Sequence, residues 1–257
     1  MALNLTQMAA KLAQSKNGGK ASGRKSTMWK PSAGDQMIRI LPTPDGDPFR
    51  EFHFHYNVGK NPGIYCNKRN DNGECAICDF ASKLWRDGVQ SDDQNLKNEA
   101  KKMFARKRYY SPVLVRGNEA DGVKIWAYGK TAYETLLGYV LDPDYGDITD
   151  SEVGTDIKLT YSIPGTPGSF PKTVLQPRRR PSILCDDNIA DCQQLLDSVP
   201  DIDNLFDVKT SEEVQTLLDG YLSSDSSAES SSNETQQYKK KTGADVDKAF
   251  AAFMSED

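Results

Sequence analysis

Apolar residues recur along the chain with two periods, and the changes from one to the other mark out the elements. Near the start, Leu5, Met8, Ala9 and Leu12 fall three or four residues apart behind Asn4, which predicts a short amphipathic helix over 4–15 with Asn4 as its cap. Residues 16–27 form a Gly-, Ser- and Lys-rich linker. A helix this short is marginal alone, so the segment reads either as a frayed end or as a self-association arm. From Met28 the pattern alternates. Residues 36–41 and 49–56 predict strands. The first is stopped by Pro42 and Pro44; the second sets Phe52, Phe54 and Tyr56 on one face and Glu51, His53 and His55 on the other.

Helical spacing returns at 79–86 and at 92–105. There Ser91 and Gln94 have capping-box spacing, and Leu96, Ala100, Met103 and Phe104 make one face. Strands are expected at 109–115 and 123–128, then a helix bearing Leu136, Leu137 and Val140 with Thr131 and Glu134 as its capping pair. A hairpin is expected over 156–163 and 172–176, across a Pro- and Gly-rich turn, followed by helices at 188–197 and 211–222. Strands joined by hairpins and interrupted by helices predict a mainly β fold with α insertions, a small barrel plus a subdomain. Residues 223–235 are nearly all Ser, Asp, Glu and Asn and are expected to be disordered. Beyond them Val246, Ala249, Phe250 and Phe253 resume helical spacing among acids, a short amphipathic peptide on a tether.

Composition narrows the class. The 257 residues include no apolar run long enough to span a bilayer, and the N-terminus lacks a basic stretch leading into an apolar one. A protein of a reducing compartment, with neither membrane span nor secretory signal, is expected. The net charge of −5 conceals a split. Residues 186–257 hold 17 acidic and 5 basic residues, a net of −12, whereas residues 1–185 hold 27 basic and 20 acidic, a net of +7. A basic body can attract a polyanion, and an acidic tail can compete for the same surface.

Three of the five cysteines cluster, where a disulfide framework would spread them. Cys75-Ala76-Ile77-Cys78 is the sharpest motif, because two thiolates two residues apart grip one tetrahedral zinc. Cys66 lies upstream across a loop that Asp71-Asn72-Gly73 turns. The chain's two histidines are His53 and His55, so the fourth ligand is expected from them: His55 as the closer, His53 as the alternative. A Cys3His set leaves no open position and would be structural. Cys185 and Cys192 have no partner motif and read as small buried residues.

An enzyme is not expected. Zinc deaminases need a His-x-Glu whose carboxylate shuttles protons and a Pro-Cys-x-x-Cys; here the histidines begin His53-Phe54-His55 and His55-Tyr56-Asn57, and Glu74 precedes Cys75. Nucleophile-elbow and phosphate-loop motifs are missing too.

Basic and aromatic residues interleave instead. Lys101 and Lys102 lead to Arg106, Lys107 and Arg108 and then to Tyr109 and Tyr110; further on come Trp126, Tyr128, Lys130 and Tyr133. Single strands are held in this way, cations following phosphates while bases stack on aromatic faces. The same alternation permits Trp126 and Tyr128 to be core, and it sets Tyr109 and Tyr110 on opposite faces. Arg178, Arg179 and Arg180, between Pro177 and Pro181, make a second cationic cluster. The competing class is a zinc-bearing protein–protein adaptor without DNA binding.

These residues resemble the T-even-phage-type single-stranded DNA-binding proteins. The resemblance covers the Leu5-Thr6-Gln7-Met8-Ala9-Ala10-Lys11-Leu12 helix, Trp29-Lys30 and the Ile38-Arg39-Ile40-Leu41-Pro42 strand. It continues through the His…Cys…Cys-x-x-Cys order, the basic run into Tyr109-Tyr110 and the acidic Ser-rich tail. It implies an OB-fold core with an inserted zinc subdomain, and places His55 on the family's zinc histidine beside Cys66, Cys75 and Cys78. It also implies cooperative binding through a self-association arm at 1–22, a core at 23–222 with the zinc subdomain at about 53–90, and a tail at 223–257 that recruits replication, recombination and repair proteins. The setting it implies is the cytoplasm of an infected bacterial host. The chain departs from the family pattern in placing Arg24-Lys25-Ser26-Thr27 after the first helix and in its shorter loops between the zinc ligands.

Overall fold

The computed structural model describes residues 27–59, 62–165, 170–185 and 189–227. The helix expected at 4–15, its linker up to residue 26 and the peptide around 246–253 lie outside the described residues. In chain order the elements are β1 (Met28–Trp29), β2 (Gly34–Ile40), β3 (Arg50–His55), β4 (Ile64–Tyr65), α1 (Asn67–Asn70), α2 (Ala76–Gln90), α3 (Gln94–Met103), β5 (Arg106–Val115), β6 (Lys124–Tyr128), α4 (Lys130–Leu141), β7 (Ile157–Ser162), β8 (Lys172–Pro177), α5 (Ile189–Asp197) and α6 (Ser211–Ser227). The fold is mixed and rich in sheet. Its chain divides into two units, Met1–Arg50 with Tyr110–Leu205 and Glu51–Tyr109 with Phe206–Asp257.

In the first unit the strand order is β1-β6-β5-β2-β7-β8. β2 pairs antiparallel with both β5 and β7, β7 with β8, and β1 runs parallel to β6. Alternation along β2 buries Ile38 and Ile40 on one face, in company with Val113, Ile125, Ile157 and Leu159. Burial of such side chains contributes about 1.5–3 kcal/mol each. The opposite face is buried as well. Leu41 and Leu114 pack with Leu184 and, from α5 and its end, Leu195, Leu196 and Val199. Cys185 and Cys192 join this cluster and are disulfide-bonded across a Cα–Cα distance of 5.4 Å. That corrects their expected reading as separate buried thiols: the start of α5 folds back within bridging range of Cys185.

On that second face sits Arg39, with 0 % of its surface exposed. Its Nε donates to Asp156 at 2.9 Å, Nη1 to the Asp150 carbonyl at 3.0 Å, and Nη2 to the carbonyl and hydroxyl oxygens of Ser182, both at 2.6 Å. Arg116 donates to the same Asp156 and to the carbonyls of Ile183 and Leu184. Burial pushes the Arg39 pKa down and Asp156 opposes the shift. A buried charge needs this degree of pairing, or it costs several kcal/mol.

In the second unit, β3 pairs antiparallel with β4, Phe54 facing Tyr65 and His55 facing Ile64, and β3 also pairs with β5. Ile77, Phe80, Ala81 and Leu84 of α2 pack with Leu96, Ala100 and Met103 of α3 and with Val214, Leu218 and Leu222 of α6. The α2–α3 approach requires Gly88, where a Cβ would stand 3.0 Å from both the Leu96 Cβ and the Lys97 nitrogen.

Three local expectations are corrected. α3 is capped by Asp93, which accepts from the Asn95 and Leu96 amides, while Ser91 ends α2 by donating to the Asp87 carbonyl. α4 begins behind Gly129 with no side-chain cap, and Glu134 pairs with Lys130 rather than with Thr131. α6 runs through Ser227, past the expected end at 222.

Candidate metal centre and nucleic-acid interface

Each ligand is positioned by an element of the second unit. Cys75 is the N-cap of α2 and Cys78 lies in its first turn, so both sulfurs stand at a helix N-terminus with its unpaired amides. Cys66 is the N-cap of α1. The turn leading back from α1 uses Asn72 at φ 56° and a hydrogen bond from the Gly73 amide to the Asn67 carbonyl. His55 comes from the end of β3 and is 1 % exposed.

The ligand atoms of His55, Cys66, Cys75 and Cys78 all lie within 4.8 Å of one another, and all four residues are buried. His55 Nε2 stands 3.3 Å from Cys75 Sγ and 3.5 Å from Cys78 Sγ, and the Cys66 and Cys78 sulfurs are 3.4 Å apart. With metal–sulfur bonds of ~2.3 Å and a metal–nitrogen bond of ~2.0 Å, a tetrahedral centre needs edges of about 3.5–3.8 Å. His55 Nδ1 donates to the Met103 carbonyl at 2.7 Å, which leaves Nε2 with its lone pair toward the sulfurs. The Cys66 thiol is held down to about 3, first by hydrogen bonds from Cys75 and Cys78 and then by the amides of Arg69 and Lys68. The same sulfurs push Cys78 up. Three buried sulfurs this close together make a site whose charge a divalent cation would relieve. The donor set therefore fits a metal ion.

His53 is held away from this group. Its amide donates to Asn70 Oδ1 at 2.8 Å and its carbonyl accepts from Asn70 Nδ2 at 3.0 Å, so the strand edge is fastened to α1. Burial lowers its pKa.

The basic run is exposed. Arg106, Lys107 and Arg108 open β5 at the surface, Lys107 bound to Glu51 at 2.9 Å and Arg106 and Arg108 without an ion pair among the described residues. Lys101 lies 5.5 Å over the Trp85 ring, Lys102 pairs with Glu99, and Lys130 with Glu134. The aromatics are placed differently from the expectation. Tyr109, Tyr110, Trp126 and Tyr128 are all buried, Trp126 to 1 % exposure. Trp126 packs on Tyr128 at 4.3 Å and meets Trp29 edge-on at 6.3 Å, and the Tyr128 hydroxyl is bonded to Ser111. Their rings are enclosed by protein. Tyr133 is half-buried, edge-on to Phe49.

The sequence reading missed a cleft of about 450 Å³ in the first unit, lined by Trp29, Met37, Val115, Arg116, Asn118 and Lys158 among others. Its two cations are already committed, Lys158 to Asp35 and Arg116 to Asp156. No described helix is long and apolar enough to cross a membrane.

A family model described as gp32 DNA binding protein like matches residues 32–220. No curated protein matches the chain.

Proposed function

This chain belongs to the gp32 DNA binding protein-like family, and from that premise we propose that it binds single-stranded DNA without sequence preference and coats and protects it. The observation that carries the reading is the family match over 32–220, and the unpaired, exposed Arg106 and Arg108 support it. On this reading the strands of the first unit are an OB-fold core. Lys101, Lys102, Arg106, Lys107 and Arg108 in one unit and Lys130 in the other neutralise phosphates. Bases stack on partly exposed aromatics, Tyr133 among them, while Trp126 and Tyr128 support the sheet from within. Holding bases unpaired favours duplex melting by mass action.

The ion in this reading is one structural zinc held by His55, Cys66, Cys75 and Cys78, which fastens β3, α1 and α2 together. The same reading gives the chain a self-association arm at 1–22 that makes binding cooperative, a core at 23–222 with its zinc subdomain near 53–90, and an acidic tail at 223–257. The tail recruits partners in phage replication, recombination and repair within the host cytoplasm, and the protein catalyses nothing. Intrinsic tryptophan and tyrosine fluorescence, titrated with oligo(dT) and with a duplex of equal length at two salt concentrations, tests the reading. Quenching by the single strand alone, weakening steeply with salt, is expected; equal or absent responses would replace it with the adaptor reading.

A further inference from the structure

We infer that Arg178, Arg179 and Arg180 form a second phosphate-binding station for single-stranded DNA, additional to the basic run at 106–108; the inference rests on the single-strand reading above. The triplet follows β8 directly and lies between Pro177 and Pro181, whose rings fix φ and remove two backbone donors. Both ends of the turn are fastened. The Arg178 amide donates to the Asp156 carbonyl at 2.9 Å, and the Ser182 amide to the Gly154 carbonyl at 3.0 Å. Ser182 is in turn gripped by the buried Arg39. Three cationic side chains are therefore presented on a backbone that is already ordered, which reduces the entropy lost on binding.

Their electrostatic situation differs from that of the paired cations. Arg50, Lys68, Lys97 and Lys107 are each held by a carboxylate. Arg178, Arg179 and Arg180 are exposed, and among the described residues none of their side chains has an ion pair or hydrogen bond. Consecutive guanidiniums without a counter-charge repel one another, and a polyanion relieves that repulsion while releasing its own counterions. The planar guanidinium fork suits phosphate oxygens. Ile183, 61 % exposed and fixed through its carbonyl by Arg116, adds an apolar flank on which a sugar or base can rest. That flank favours a nucleotide over a run of carboxylates, and the triplet lies inside the region matched by the DNA-binding family.

The test uses the full chain, with R178A/R179A/R180A and the corresponding triple Lys variant, and a fluorescently labelled oligo(dT) titrated across salt concentrations. Each neutralised phosphate contributes ~0.7 to the salt slope. The Ala variant is expected to lower the slope by about 2 and the affinity by about 100-fold at 0.1 M salt. Its melting temperature should be unchanged, and the Lys variant should keep the slope. If the wild type binds oligo(dT) and the Ala variant binds with the same slope, the inference is overturned and the single-strand reading stands. If the wild type does not bind, both fall. A third outcome also overturns it: deletion of 228–257 strengthens wild-type binding, and the Ala variant abolishes that gain with no change of slope in the shortened chain. The occupant of the triplet is then the acidic tail.

Discussion

Each unit holds a buried polar cluster, and the two clusters are built on opposite principles. In the second unit His55, Cys66, Cys75 and Cys78 come from one short stretch and converge on a point where a cation fits. In the first, Arg39 reaches partners 111, 117 and 143 residues away and satisfies itself with no ion from outside. The first arrangement depends on what binds to it, because three sulfurs and an imidazole gain little by being brought together without a cation. The second depends on completeness, because every donor of a buried guanidinium must find an oxygen. Loss of the ligand should therefore undo one unit, and loss of a single side chain should damage the other.

The largest effect is expected from metal removal. Structural zinc contributes apparent binding energies on the order of 10 kcal/mol to small domains at neutral pH. Chelation, or Cys75→Ser with Cys78→Ser, should strip hydrogen-exchange protection from α2 and α3 while the amides of β2 and β7 keep theirs. Equal protection of α2 and α3 with and without the metal would show that the apolar contacts of Phe80, Leu84, Leu96 and Leu218 suffice, and the contrast between the two clusters would be lost.

An intermediate effect is expected from Arg39→Met. The substitution leaves Asp156, 7 % exposed, with Arg116 as its remaining charged partner, and breaking such a pair costs about 3–5 kcal/mol. Here the pattern of protection should invert, with β2 and β7 opening while α2 and α3 stay closed. Denaturant unfolding followed by peptide-resolved exchange reads both. A change below about 1 kcal/mol would mean that water reaches the network and that Arg39 behaves as a surface residue.

The two clusters also differ in how far the sequence discloses them. Cys and His are scarce and their ligand spacing is local, so the Cys-x-x-Cys pair with Cys66 and a histidine upstream is visible in a single stretch of chain. The choice of His55 over His53 is not, because alternation puts both on one side of β3. Asn70 draws His53 to α1 and the Met103 carbonyl orients His55, and both are tertiary facts. Arg39 was hidden for a related reason. In an alternating strand it reads as the polar, outward residue, and what buries it is a cover formed by chain more than 110 residues on. The aromatics show the same limit: a face bearing Trp126 and Tyr128 has one periodicity whether it meets a base or a core. The longer strands and helices were legible to within about five residues, but the short β1, β4 and α1 were not foreseen; nor were the caps, because Ser91 and Asp93 both have capping chemistry and only the turn from α2 to α3 selects between them.

The smallest effect belongs to the half-buried counterpart of Arg39, whose carboxylate partners are exposed. Arg50 is paired with Asp45, with Asp47 at 3.7 Å and with Asp203 at 3.2 Å, but solvent screens all three pairs. The hydrogen bond from Arg50 is the main reason that the Asp45 carboxyl is held down to about 2 from its ordinary 3.8. A folded-state pKa below the unfolded one means that the unfolded chain takes up the proton first. The pair therefore contributes above pH 3.8, and its contribution fades as the pH falls through about 2. Metal binding to a Cys and His site is itself pH-dependent, so a global melting curve would mix the two clusters. A carboxyl NMR titration of Asp45 isolates the effect. Its midpoint should lie near 2, and Arg50→Gln should return it toward ~3.9 while β2 and β7 keep their exchange protection at neutral pH. An ordinary midpoint in the wild type would make the Arg50 pairs mere proximity. A loss of protection in Arg50→Gln as large as that in Arg39→Met would show that burial is not what separates the two arginines.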